Sequence, residues 1–209
     1  MSRTKELLIV RHAEVEAEWK GVCYGTLDVP LSDAGKRACD TAAGDLLTHV
    51  KPATIFHSGS TRTGYLAAAV ARLCGDEAPL LEDARLQERN FGAWQGLTWD
   101  AAYASDPDGF HGLLEKPDSY RPPGGESTSE LQQRAVAWLA EQTETRFPII
   151  AISHSGPIAA IAGHALRLHP LNWSPWIVKH LEGVRLATDA KEECWEVSKI
   201  AFAVPAESK

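Results

Sequence analysis

The sequence is poor in the features that mark secreted, membrane-spanning and nucleic-acid-binding proteins. Its 209 residues include only four cysteines, Cys23, Cys39, Cys74 and Cys194. None stands in a CxxC pair or at zinc-ligand spacing, so no metal centre is expected, and they read as reduced thiols of a cytoplasmic protein. Basic residues are outnumbered, 21 Lys and Arg against 28 Asp and Glu, for a net charge of -7. That balance argues against partners that need a basic face, namely nucleic acid and anionic membrane. It leaves room for a small anion held in a local basic pocket. The apolar runs fall well short of the roughly 20 residues of a membrane span. Met1 to Val10 is too short and too charged for a signal peptide. There is no internal repeat and no low-complexity tract.

What is present is ordinary globular composition, 44% hydrophobic and 23% charged. A chain of this length buries about 70% of its unfolded surface in one core. One domain over residues 1–209 is therefore expected.

Short apolar runs alternate with helical patterns. Leu7 to Val10 and Ile149 to Ser153 read as strands buried on both faces. Ala53 to His57, Leu80 to Leu86, Val184 to Thr188 and Trp195 to Phe202 read as further strands. Ser32 is placed to cap a helix over Ala34 to Leu47, and Thr61 to Leu73 is a second helix ended by Gly75. Ser127-Thr128-Ser129-Glu130 fits a capping box before a helix with Leu131, Ala135, Trp138 and Leu139 on one face. Gly156-Pro157 starts the next helix. Phe91 to Pro123 is irregular and rich in Trp, Gly and Pro, and a small helical cap at about 91–125 is expected. The alternation implies an α/β three-layer sandwich, a mostly parallel central sheet flanked by helices on both faces. In such sheets ligands bind at the carboxyl ends of the strands.

Two apolar strands end in histidine, at Arg11-His12 and at Ser153-His154. Arg62 sits between a strand and a helix, and Glu88 follows Leu86. Two guanidiniums present forks that match phosphate oxygens. A neutral imidazole can attack phosphorus and hold the phosphoryl group. A second histidine can bond to oxygens that gain charge, and a carboxylic acid can protonate the leaving oxygen. Together these residues fit phosphoryl transfer through a phosphohistidine, which calls for no cofactor. Taken singly, each has a duller reading as a structural histidine or a solvated charge. Ser153-His154-Ser155-Gly156 lacks the G-x-S-x-G elbow of a serine hydrolase. His49, His111, His164, His169 and His180 show no metal-ligand spacing and read as surface or packing residues. His57 borders the Arg62 loop. Trp173 and Trp176, flanked by prolines, mark either C-terminal packing or a contact surface; a homodimer is left open.

The combination resembles the histidine phosphatase superfamily, with its phosphoglycerate-mutase-like fold. Arg11-His12-Ala13-Glu14 is similar to its R-H-G-E signature, and Asp28-Val29-Pro30-Leu31-Ser32 with Gly35 to its D-x-P-L-S/T-x-x-G segment. Ser58 to Arg62 resembles S-x-x-x-R. Leu86-Gln87-Glu88 with Phe91-Gly92-Ala93-Trp94-Gln95-Gly96 resembles L-x-E-x-x-F-G-x-W-E-G. Pro123-Gly124-Gly125-Glu126-Ser127 and Ile152-Ser153-His154-Ser155-Gly156 match two later motifs. The resemblance runs from Leu7 to about Leu166 and implies a phosphoric monoester hydrolase. It makes His12 the phosphorylated nucleophile and Arg11, Arg62 and His154 the phosphoryl ligands. Glu88 becomes the proton donor, and Ser155 completes the pocket. The departures are Ala13 and Ser155 in place of glycines, Gly59-Ser60 in the Arg62 segment, and Glu18 where many members carry a phosphate-binding asparagine. Glu18 is expected to turn away.

Phosphoglycerate mutases carry G-L-N-K where this chain has Gly96-Leu97-Thr98-Trp99, so a phosphatase acting on a small phosphorylated metabolite is expected. A mutase and a catalytically silent phospho-ligand module are the alternatives. Gly21 to Asp28, with Tyr24, Gly25 and Thr26 as substrate contacts, resembles the G-x-C-Y-G-x-x-D loop of α-ribazole-5'-phosphate phosphatases of cobalamin biosynthesis.

Overall fold

The computed structural model describes residues 5–142, 145–188 and 194–202. Six strands form one sheet: β1 (Lys5–Arg11), β2 (Thr54–His57), β3 (Leu80–Glu82), β4 (Ile149–Ser153), β5 (Glu182–Thr188) and β6 (Glu196–Ala201). Their order is β3-β2-β4-β1-β5-β6. The pairings β3–β2, β2–β4 and β4–β1 are parallel, and β1–β5 and β5–β6 antiparallel.

Helices α1 (Asp33–His49) and α2 (Thr61–Cys74) cover one face of the sheet. Helices α5 (Thr128–Glu141) and α6 (Ser155–Ala165) cover the other. The period-2 alternation of the strands sorts their side chains between the two cores. Leu8, Val10, Ile150 and Ile152 join Ala42, Leu46, Leu66 and Val70 on the first face. Leu7, Ile9, Ile149 and Ala151 join Trp138, Leu139, Ile158 and Ile161 on the second. A strand buried on both sides needs an unbroken apolar run, which is why β1 and β4 stand out in the sequence. Ser32 caps α1 by accepting from the Gly35 amide, and Ser127 and Glu130 form the expected capping box of α5.

Helices α3 (Trp99–Ser105) and α4 (Pro107–Glu115) fall in the irregular segment. They build a small core of their own from Cys23, Trp94 and Ala102, with Trp99, Phe110, Leu113 and Tyr120 packed against it. Two local readings need correction. The strand expected over Leu80 to Leu86 stops at Glu82, because the Asp83 carboxylate accepts from the Arg85 amide and turns the chain into a 3-10 helix over Ala84–Leu86. Helix α6 starts at Ser155, one residue before Gly156. The four cysteines stand as free thiols. No helix among the described residues is long and apolar enough to cross a membrane.

Candidate active site

Adjacent parallel strands bring the two histidines together. β1 and β4 pair with Arg11 opposite Ser153, so the next residue of each, His12 and His154, leaves the sheet side by side. Their buried rings lie 5.1 Å apart between centroids, edge-on. His12 Nδ1 is 2.7 Å from the Ala13 carbonyl oxygen. A carbonyl only accepts, so Nδ1 carries the proton and Nε2 keeps its lone pair. Burial pushes His12 well below the usual imidazole range, and the nearby Arg62, Arg11 and His180 push the same way. The nucleophilic, neutral form is thereby held over a wide pH range. Burial also lowers His154, helped by His12, Arg62 and Arg11. The Ser58 hydroxyl lies 2.9 Å from His154 Nε2; when it donates there, the His154 proton sits on Nδ1.

The loop before α1 is wrapped around Arg62. This arginine is 1% exposed, although it lies in the first turn of α2. It donates to the Leu27 carbonyl (2.7 Å) and the Gly25 carbonyl (2.8 Å), and its guanidinium carbon sits 5.2 Å from the centre of the Tyr24 ring. Gly25 has φ +45°, and a Cβ there would lie 2.7 Å from the Arg89 carbonyl, so glycine is required. Asp28 caps α2 from outside the helix, accepting from the Thr61 amide (2.8 Å) and hydroxyl (2.5 Å). Thr26 donates through its amide (2.9 Å) and hydroxyl (3.0 Å) to Gln95. Arg11 donates to the Val178 carbonyl (2.9 Å). Arg11 Nε, Arg62 Nε and His154 Nδ1 are buried with no hydrogen-bond partner among the described residues, and the two guanidiniums make the surroundings of His12 electropositive, which suits an anion.

Glu88 lies at the amino end of α6. It accepts from the Gly156 amide (3.2 Å), the Arg89 amide (2.9 Å) and the Ser155 hydroxyl (3.2 Å). A Cβ at Gly156 would lie 2.3 Å from its carboxylate, so only glycine admits the approach. The backbone that carries Glu88 is clamped by Arg134 of α5. Arg134 donates to the carbonyls of Arg85 (2.8 Å), Gln87 (2.7 Å) and Glu88 (3.0 Å), and pairs in bidentate fashion with Glu126 at 3.0 and 2.7 Å. Glu126 also accepts from the Asn90 amide, so the Pro123–Ser127 loop supports the segment that carries Glu88. Arg134→Leu is expected to destabilise the protein by about 3 kcal/mol, because it strands a partly buried carboxylate and three carbonyls. Unchanged denaturant unfolding would show the clamp to be dispensable.

Two cavities meet at Glu88. One of about 100 Å³ is lined by Thr26, Asp28, Ser60, Arg62, Glu88 and His154 among others. The other, of about 530 Å³, has Arg11, Tyr24, Gly25, Glu88, Arg89 and Ser155 at its polar end. Its walls are apolar and aromatic: Phe91, Trp99, Phe110, Leu113, Leu131, Leu171, Trp173 and Ile177. Arg11, Tyr24, Gly25, Thr26, Arg62, Glu88, His154 and Ser155 are thus all brought to one place. Glu18 is exposed in a 3-10 turn over Ala17–Trp19. His57 accepts from the Gly59 amide (3.1 Å). Sequence reasoning missed Arg134, Gln95 and His180, whose ring lies 5.3 Å from that of His12.

The depressed histidines predict acid sensitivity. His180 is lowered to about 4, first by burial and then by Arg11. Unfolded histidine titrates near 6.5, so below that the unfolded chain binds more protons than the native one. The stability is complete above about pH 6.5 and falls as pH drops toward 4, by on the order of 3 kcal/mol from His180 alone. Melting temperatures across this window should fall steadily; a flat profile would contradict neutral buried histidines.

A family model, that of the histidine phosphatase superfamily (branch 1), matches residues 7–201. The chain belongs to this superfamily and is a phosphoric monoester hydrolase. Glucosyl-3-phosphoglycerate phosphatase of Mycolicibacterium vanbaalenii is 30% identical over 181 residues, 82% of this chain and 78% of that one. The native structure of the mycobacterial glucosyl-3-phosphoglycerate phosphatase superposes with a TM-score of 0.82 at 25% identity, covering 96% of this chain and 100% of the other. The α-ribazole phosphatase of Shigella flexneri shares the fold, with a TM-score of 0.80 at 20% identity over 96% of this chain and 100% of that one.

Proposed function

We propose that the protein hydrolyses a small phosphomonoester through a phosphohistidine on His12, and that the alcohol it releases carries a bulky aromatic group. The observation that carries the mechanism is the Nδ1 hydrogen bond of His12 to the Ala13 carbonyl, which leaves a neutral, buried Nε2 beside Arg11, Arg62 and His154. Nε2 attacks phosphorus and the ester P–O bond breaks. The two arginines and His154 hold the oxygens as charge redistributes. Glu88 gives its proton to the leaving alkoxide; the carboxylate so formed then takes a proton from the water that attacks the phosphohistidine. Inorganic phosphate leaves, and His12 and Glu88 return to their starting states. Ser155 donates to Glu88 and holds its carboxylate in place.

The large cavity supports the substrate reading. It runs from Glu88 along Tyr24, Phe91, Trp99 and Phe110, which offer flat faces to a ring. Of its cations, Arg11 donates to the Val178 carbonyl and Arg89 to the Glu126 carbonyl and Thr128, while the walls beyond them are apolar and aromatic. A planar base joined to a sugar phosphate, as in α-ribazole 5'-phosphate, matches this lining better than a carboxylate-bearing ester. The second reading, glucosyl-3-phosphoglycerate, rests on the mycobacterial relatives. Hydrolysis rates on α-ribazole 5'-phosphate, glucosyl-3-phosphoglycerate, phosphoserine and 3-phosphoglycerate separate them. We expect kcat/KM to be at least about tenfold higher for α-ribazole 5'-phosphate. A preference for any carboxylate ester would overturn the aromatic reading, and phosphoryl exchange faster than hydrolysis would make the protein a mutase.

A further inference from the structure

His180 has no place in the chemistry above, and no local pattern in the sequence marks it. The sheet topology puts it at the nucleophile. β5 runs antiparallel to β1, with Gly183 opposite Val10, so the residues just before β5 must lie at the carboxyl end of β1. Gly183 permits this pairing, since a Cβ there would lie 2.1 Å from the Ile9 carbonyl oxygen.

The segment Val178–Leu181 grips Arg11 twice. The Val178 carbonyl accepts from the Arg11 guanidinium (2.9 Å), and the Leu181 amide donates to the Arg11 carbonyl (3.2 Å). Between these anchors His180 is carried to within 5.3 Å of the His12 ring, tilted by 42°. Leu181 turns the chain into β5 at φ +57°, a left-handed conformation that a branched side chain adopts only when its surroundings enforce it.

The Ala13 hydrogen bond holds the His12 imidazole at its Nδ1 edge. Three rings stand around it and can fix its plane: His154, His180 and Tyr24. Two of them have other work, His154 with Ser58 and Tyr24 over Arg62. For His180 no such bond is seen among the described residues, and its Nε2 is buried with no hydrogen-bond partner among them. Its contact with His12 is made through the ring.

We infer that His180 is a positioning residue, whose ring packs against His12 and holds the imidazole plane so that Nε2 faces the phosphorus. The inference rests on His12 being the nucleophile. A misplacement of about 1 Å at a reacting atom costs on the order of a hundredfold in rate, so a ring that fixes the plane acts on kcat. Binding of the phosphate belongs to Arg11, Arg62 and His154, so KM is little affected.

The test compares the parent protein with His180→Ala and His180→Phe, using p-nitrophenyl phosphate and rapid-quench measurement of phosphoenzyme formation. His180→Ala should form phosphoenzyme at least about tenfold more slowly, with KM within about twofold of the parent. His180→Phe keeps a ring but no nitrogen, and should recover the rate to within about threefold. A parent-like rate in His180→Ala would overturn the inference. So would a His180→Phe protein no faster than His180→Ala, since the nitrogens rather than the ring would then matter. Should His180→Ala fail to fold, as its melting curve would show, His180→Leu takes its place, filling the space without a ring; a parent-like rate there would likewise overturn the inference. Loss of turnover in His12→Ala tests the nucleophile itself, so failure of that reading is separable from failure of this one.

Discussion

Replacing His12 by alanine is expected to abolish hydrolysis of p-nitrophenyl phosphate, by about 10⁴-fold or more, in protein whose parent keeps its activity after treatment with a chelator. The size of the loss follows from the mechanism. Without Nε2 there is no covalent intermediate, and loss of one member of a set acting as a unit removes most of what the set achieves. The remaining groups still bind phosphate, so phosphate should still raise the melting temperature of His12→Ala. Stability and chemistry are thereby read separately. Hydrolysis surviving in His12→Ala would remove the phosphohistidine. A parent that binds phosphate but hydrolyses no ester would be a phospho-ligand module that keeps the pocket and has lost turnover.

Glu88→Gln should produce a loss that depends on the leaving group. p-Nitrophenolate departs as a stabilised anion and needs no proton, whereas an alkoxide does. Glutamine cannot supply the proton, so phosphoenzyme formation from an alkyl phosphate should slow by about 10²- to 10⁴-fold. Formation from p-nitrophenyl phosphate should slow by less than about tenfold. The second half of the cycle has lost its base in both cases. The variant should therefore release a burst of about one equivalent of p-nitrophenol and stall as the phosphoenzyme. Equal slowing of the two esters in the burst phase would show that Glu88 does not protonate the leaving oxygen. The carboxamide oxygen of the variant can still accept from the Gly156 and Arg89 amides, so the fold should tolerate the change.

The parts of the molecule legible in the sequence are those where local pattern and tertiary environment agree. Leu7 to Val10 and Ile149 to Ser153 are apolar without interruption because both of their faces are covered. Ser127 and Glu130 announce the start of α5 because the capping box is a local device. The edge strand β3 is less readable. Leu80 and Leu81 are both exposed, at 39% and 43%, so their hydrophobicity carries no facing information, and the end of the strand is set by Asp83. His12, Arg62, Glu88 and His154 could be found because each sits in a short pattern. Arg134 and His180 could not, and Gln95, though inside the Phe91–Gly96 motif, gives no sign there of its bonds to Thr26. An arginine on a helix reads as a solvated charge until Glu126 and three carbonyls are seen around it. A histidine before a late strand says nothing of His12 until the antiparallel pairing of β5 with β1 is known.

The strand order also has a consequence in time. β1 and β2 are the first two strands to leave a ribosome, yet they are not neighbours in the finished sheet; β4 lies between them. Until β4 is made, β1 has no parallel partner, and the two histidines of the site are not both in existence. The Arg62 loop and α1 can organise early, but the His12–His154 pair closes only when a strand from the last third of the chain inserts into the centre of the sheet. Long-range insertion of this kind is a slow event in folding. The nascent protein is therefore expected to be catalytically silent through most of its synthesis and to gain its reactive histidine late, in one cooperative step, once α6 has emerged to cover β4.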